Sequence, residues 1–169
     1  GESMAAEQQE TAPEPSVSEP VTATAPAYTL PDGTEVEVSS SGFEGEFEQA
    51  IVNDSFNTPM IFDGIYFDSG STAISAGSDK QIKATAALLN KYPDTIILIR
   101  GHTDKTGIPS ANSQLSLMRA NELGLALVNL GIDRERIRIM GMGDVEPIAS
   151  NDTEAGRRQN RRIDISILD

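Results

Sequence analysis

The pair of residues best suited to chemistry in this chain is Asp104 and Arg119, at the two ends of a loop-to-helix segment that reads DKTGIPSANSQLSLMR. A carboxylate can hold an ammonium, and the planar guanidinium fork can hold a carboxylate in two-point contact. Together they match a zwitterion that carries both groups on one carbon. In the helix, Leu115, Arg119, Leu123 and Leu127 recur at i+4 spacing, which sets one guanidinium in an otherwise apolar stripe. A charge in that position needs a partner. Either Asp104 supplies it as an internal salt bridge, or the two residues flank a ligand, and the helix pattern alone leans to the salt bridge. Exposed amides at the start of the helix would add donors for a ligand carboxylate. Asn112, at the helix entrance, is placed to cap the helix or to touch the ligand.

Other chemistries find less support. His102 lies near Asp104, Ser113 and Ser116, yet the sequence has no G-x-S-x-G nucleophile elbow, so the histidine reads as shaping the loop. With one His and no Cys, a metal site would have only carboxylates, and Asp104, Asp144 and Asp152 lack EF-hand spacing. Gly141-Met142-Gly143 lacks the third glycine and following helix of a dinucleotide fingerprint and reads as a turn. Arg157, Arg158, Arg161 and Arg162 form the densest basic cluster; they pair with Asp68, Asp144 or Asp164, or one of them reaches a ligand.

The elements that must position these residues follow from periodicity. Thr95 to Ile99 is an unbroken apolar run, which predicts a strand from Thr95 to Arg100 buried on both sides. The central helix is expected from about Ser113 to Leu130, with Gly131 as its C′ residue. Upstream, Ile65 and Phe67 alternate in an opening strand that Asp68-Ser69-Gly70 breaks. Ser78 and Gln81 spell a capping box for a helix whose Ile82, Ala86 and Leu89 share a face and which Pro93 closes. Downstream come a strand from Arg136 to Met140, a short helix from Asp152-Thr153-Glu154, and a last strand with Ile163, Ile165 and Ile167 inward. The order βαβαβ, then αβ, implies an α/β two-layer sandwich with helices on one face of a mixed sheet.

The net charge of −13 is unevenly spread: no Lys or Arg precedes Lys80, while from Pro59 onward 13 basic residues face 14 acidic ones. No basic stripe with interleaved aromatics stands out, which argues against nucleic acid as a partner. Residues 1–27, rich in Ala, Glu, Pro, Thr and Ser, read as an acidic linker or tether. Residues 28–57 differ. Pro31-Asp32-Gly33 is turn chemistry, Glu35 to Val38 alternate as in a strand, and Phe43, Phe47 and Ile51 recur at i+4. These predict a small strand-plus-helix extension laid against a main domain over 58–169. No apolar run approaches the roughly 20 residues needed to span a bilayer.

Several of these segments also resemble a known family. Gly101-His102-Thr103-Asp104, Gly107, Asn112, Leu115-Ser116 and Arg119-Ala120 resemble the signature of the OmpA-like domain, found also in Pal lipoproteins and MotB-type stators. Ile65 to Ser69, Gly141-Met142-Gly143, Pro147 to Thr153, Gly156-Arg157 and Asn160-Arg161-Arg162 extend the likeness over about Thr58 to Asp169. The resemblance implies noncovalent binding of peptidoglycan through the diaminopimelate of its stem peptide, without enzyme activity, cofactor or metal. Asp104 and Arg119 would be the principal contacts, with Thr103, Asn112, Leu115, Phe67, Asp68 and Arg161 around them. It also implies a periplasmic protein tethered to the outer membrane through an N-terminal anchor not present in this sequence. Tyr66 and Met118 depart from the family's usual residues without touching the Asp or the Arg. The alternative is an interaction module for other envelope proteins, using the acidic residues 28–57. A hydrolase would want two acidic groups or a metal set, and the loop offers only Asp104. If the pair serves a ligand, both groups are expected to be largely solvated in the empty domain.

Overall fold

The computed structural model describes residues 28–169 apart from Tyr66, Asp68 and Ser69, so the linker expected over 1–27 lies outside the described residues. Its elements are β1 (Tyr28–Thr29), β2 (Glu35–Val36), α1 (Gly42–Val52), β3 (Met60–Ile61), α2 (Asp79–Lys91), β4 (Ile96–Gly101), α3 (Pro109–Asn129), β5 (Ile137–Gly141), α4 (Glu154–Asn160) and β6 (Ile163–Leu168). The β1–β2 hairpin stands apart from a mixed sheet in the order β3-β6-β4-β5. In that sheet β4 and β5 are parallel, while β6 runs antiparallel to both β4 and β3. The period-2 alternation puts Ile97, Ile99, Ile163, Ile165 and Ile167 into one core with Leu88, Leu89, Leu123 and Leu127 of α2 and α3. The fold is thus the expected two-layer α/β arrangement.

Three local expectations are corrected, and a fourth falls partly on residues outside those described. β4 is fully buried only on the side of Ile97 and Ile99; Leu98 and Arg100 on the other side are half-buried. A strand lies at Met60–Ile61; of the opening strand expected over Ile65 to Ser69, Tyr66, Asp68 and Ser69 lie outside the described residues. Met60 and Phe62 already supply the alternating apolar pair, and the bond from Phe62 N to Ile163 O continues the pairing with β6. Ile65 and Phe67 are buried as well, but after the Asp63-Gly64 turn. Ser78 and Gln81 do not form a capping box: Ser78 has helical dihedrals and donates to Gly64 O at 2.8 Å, while Gln81 Nε2 donates to Asp63 Oδ1 at 2.8 Å. Both fasten that turn to the start of α2. Lastly, α3 begins a turn early, with Pro109 as its first residue, where a missing N–H costs nothing. It ends as expected. Gly131, at φ +103°, donates to Val128 O, and Ile132 N reaches Leu127 O, a Schellman closure.

Two features place the functional end of the molecule. A Cβ on Gly101 would stand 2.0 Å from Ser116 O, so only glycine lets α3 lie directly on the end of β4. At the opposite end, the C-terminus of α3 meets the hairpin: a Cβ on Gly131 would lie 2.8 Å from the Pro31 ring. The extension is integral to the core. Phe43 and Phe47 are 2% and 0% exposed, and the Phe43 ring lies 4.9 Å from that of Phe62. Glu48 fastens it further, accepting from Tyr28 and Tyr92 hydroxyls at 2.7 Å and pairing with Lys91 at 3.2 Å. Burial pushes the Glu48 carboxyl up, but these three donors outweigh it and hold it below its usual value.

A chain starting at residue 58 should therefore melt well below one starting at residue 28, since each buried phenylalanine contributes about 1.5 to 3 kcal/mol. Differential scanning calorimetry of the two truncations measures this, and equal melting temperatures would contradict the packing described.

Candidate functional site

β4 ends at Gly101, and its continuation, His102 to Ile108, folds over the N-terminal end of α3. The loop is held from both sides. Thr103 N donates to Gly143 O, Gly143 N donates to Ser116 Oγ at 2.8 Å, and Lys105 N donates to Asn151 Oδ1 at 3.1 Å. Asn151 is itself fixed by Asn160, whose amide also takes Ile148 N, Ala149 N and Ala149 O. Asn112 donates to Thr106 O at 3.1 Å and to Asp104 O at 3.5 Å. It therefore staples the loop to the helix instead of capping the helix.

Inside this frame lies a cavity of about 100 Å³ lined by Gly70, Thr103, Asp104, Thr106, Asn112, Leu115, Arg119 and Arg161. Larger surface depressions, of about 410 and 600 Å³, lie elsewhere, but the buried charges converge on the small one. Arg119 is 0% exposed, donates Nε to Ser71 O at 2.9 Å and Nη1 to His102 O at 3.3 Å, and stacks with Cζ 4.7 Å from the Phe67 ring. Asp104 accepts Thr106 N at 2.8 Å on Oδ1 and Arg161 Nη1 at 2.8 Å on Oδ2. Arg161 also donates to Phe67 O at 3.2 Å and to Glu154 Oε1 at 2.7 Å. Thr103 Oγ1 is buried in the cavity wall without a hydrogen-bond partner among the described residues.

Electrostatics follow from this geometry. Burial lowers the Arg119 pKa to about 10, the Arg161 charge lowers it too, and Asp104 partly opposes them, so the guanidinium is still cationic at neutral pH. Burial pushes Asp104 up, but Arg161 and the Thr106 amide outweigh it and hold the carboxyl below its usual value. Behind the pocket, burial likewise raises Asp164, and His102 with Arg100 overcome it. The expectation of a solvated pair is therefore corrected. Both groups are buried, because α3 carries Arg119 into the core-facing stripe and the loop folds over Asp104.

The residues singled out from sequence come together unevenly. Thr103, Asp104, Asn112, Leu115, Arg119 and Arg161 share the cavity wall, and Phe67 stands behind Arg119 rather than on that wall. Asp68 lies outside the described residues. The salt bridge of Asp104 among the described residues is with Arg161, so the simple Asp104–Arg119 bridge is corrected to a three-residue arrangement. Asp164 is held by Arg100 and His102 instead of the arginine cluster, while Arg162 donates to Glu146 O and Asn160 O. Sequence reasoning missed Ser71, Glu154 and the Thr106 amide. Two of these act through backbone groups, which leave no mark on residue type. His102 Nε2 faces Asp164 and Ser116 Oγ bonds Ser113 O, so no Ser-His dyad is assembled. Among the described residues no group of three acidic or imidazole side chains is arranged to hold a metal. Nor is any described helix long and apolar enough to cross a membrane.

Comparison with known proteins bears on the family and the fold. The sequence profile described as OmpA family matches residues 66–161. The probable lipoprotein YiaD of Escherichia coli is 36% identical over 135 residues, covering 80% of this chain and 56% of that protein. Peptidoglycan-binding protein ArfA of Mycobacterium tuberculosis is 34% identical over 119 residues, covering 70% of this chain and 35% of its own length. The chain thus spans only about half, or a third, of these relatives. The crystal structure of the peptidoglycan-associated lipoprotein from Burkholderia pseudomallei superposes with a TM-score of 0.60 at 31% identity, covering 62% of this chain and 88% of that one.

Two measurements check the geometry. Arg119→Ala should cost about 3 kcal/mol in urea unfolding, because it strips a donor from two carbonyls and opens a void, whereas Asp104→Asn, still able to accept from Arg161, should cost about 1 kcal/mol. Asp104 and Asp164 both have folded pKa values below the usual 3.8. Their contribution is complete above that value and is lost as pH falls through the lower folded values. The melting temperature should therefore hold from neutral to mildly acidic pH and drop below about pH 4, and Asp164→Asn should flatten that drop.

Proposed function

This chain belongs to the OmpA family, and we propose that it is a non-enzymatic module that binds peptidoglycan noncovalently through the diaminopimelate of the stem peptide. The observation that carries the reading is the cavity in which Asp104, Arg119, Arg161 and the unpartnered Thr103 Oγ1 converge. Diaminopimelate ends its side chain in one carbon bearing an amino and a carboxyl group. A carboxylate offers about four acceptor positions, and Thr106 and Arg161 fill two on Asp104, leaving room for an ammonium. The guanidinium of Arg119, with the Thr103 hydroxyl, suits the carboxylate. A cavity of about 100 Å³ fits that end group and not a whole muropeptide, so the rest of the stem peptide lies outside. The names of ArfA and of the Burkholderia lipoprotein, which tie those proteins to peptidoglycan, support the same reading.

In this reading residues 58–169 form the binding unit, 28–57 brace it, and 1–27 tether it in the periplasm to the outer membrane. No second reading is favoured by a specific observation at the acidic extension. Its apolar face is taken up by the core.

Calorimetric titration of the full chain with free meso-diaminopimelate should show binding that Asp104→Asn weakens by about 2 kcal/mol or more, with its fold kept. A folded Asp104→Asn protein that binds like the parent would remove Asp104 from the site. Incubated muropeptides should keep their chromatographic profile, and new products would show an enzyme instead.

A further inference from the structure

His102 is the buried titratable group that ligand binding leaves unexplained. It is 1% exposed, and its Nε2 lies 2.7 Å from Asp164 Oδ2. Asp164, 2% exposed, is held in a fixed orientation by Arg100, whose Nε and Nη2 donate to it at 2.8 and 2.9 Å. Arg100 reaches Glu146 at 3.3 Å, and Arg162 donates to Glu146 O, so the charged groups behind the ring form one connected set. An ionised carboxylate only accepts, so the imidazole hydrogen sits on Nε2. Nδ1 is buried and without a partner among the described residues. A buried unpaired nitrogen costs stability, and an apolar side chain of similar bulk would fill the space without it. What sets the ring apart from such a side chain is the Nε2 bond to Asp164.

The backbone of the same residue is what that bond can position. His102 N donates to Arg162 O at 2.9 Å, and His102 O accepts Arg119 Nη1 at 3.3 Å. The next two residues, Thr103 and Asp104, are pocket wall. At 3.3 Å the bond to Arg119 is near the end of its useful range, so a small displacement of that carbonyl breaks it. We propose that His102 is a positioning residue: its ring, locked on Asp164, fixes the carbonyl that aims Arg119 and the loop that carries Asp104. It touches no ligand. The inference rests on the zwitterion reading only for what the aimed pocket binds.

The test compares His102→Gln, whose amide nitrogen falls about where Nε2 lies, with His102→Leu, which keeps bulk and loses the donor. Two readouts are taken on the full chain: hydrogen exchange of the Arg119 Nη1 hydrogens, which face the His102 carbonyl, by NMR, which needs no ligand, and titration with meso-diaminopimelate. In the Leu variant exchange should quicken and binding should weaken, each about ten-fold, while the Gln variant stays within about three-fold of the parent in both. Parent-like exchange in a folded Leu variant overturns the proposal, as does equal damage in Gln and Leu. If the parent binds no diaminopimelate and exchange still responds as stated, the ligand assignment fails and the positioning role stands. Should the Leu variant not fold, His102→Asn, with an amide too short for the contact, takes its place under the same criteria.

Discussion

Carrying a guanidinium into an apolar helix stripe is the constraint on which the rest of this structure depends. Arg119 is 0% exposed in line with Leu123 and Leu127, and a charge there is tolerable only if its donors are met and its face is covered. Among the described residues the answer comes from main-chain oxygens and a ring. Ser71 and His102 offer carbonyls, and Phe67 offers a ring face. Ser71 and Phe67 come from the path before α2 and His102 from the end of β4, so those two segments and the middle of α3 must meet at one point. Gly101 makes the meeting possible by letting helix and strand touch.

Arg161 complicates the pocket in a useful way. Its charge lies close enough to depress Arg119, yet it neutralises Asp104 and is itself shared with Glu154. The empty site is therefore internally compensated. In the proposed reading an incoming ammonium would join Asp104 beside an existing guanidinium rather than meet a bare carboxylate, which limits the desolvation that the empty state must carry.

Much of this was legible in the sequence, for identifiable reasons. The i+4 stripe through Arg119 gave away a buried charge, and the alternation of Ile163, Ile165 and Ile167 gave away a strand with one buried face. Gly131 after a periodic run marked the end of α3. What stayed hidden depended on partners distant in sequence. Nothing in Ser78 or Gln81 says that the Asp63-Gly64 turn will claim their side chains before the helix end can. The Asp104–Arg161 bond joins residues 57 positions apart, and the Arg119 acceptors among the described residues are main-chain atoms. Residue types do not encode either.

The hairpin and the pocket cap opposite ends of α3. Pro31 meets Gly131 at the C-terminal end, whereas Asn112 and Leu115 belong to the pocket at the N-terminal end. Twenty-one helical residues separate these ends, a span of about 30 Å at 1.5 Å per residue. If the chain is tethered and bound as proposed, a pull that enters at Tyr28 and is resisted at the pocket would run along the helix axis, through the body of the domain. The Glu48 contacts with Tyr28, Tyr92 and Lys91 stand where that tension arrives, and they pass it from the hairpin into α1 and α2 before it reaches the sheet.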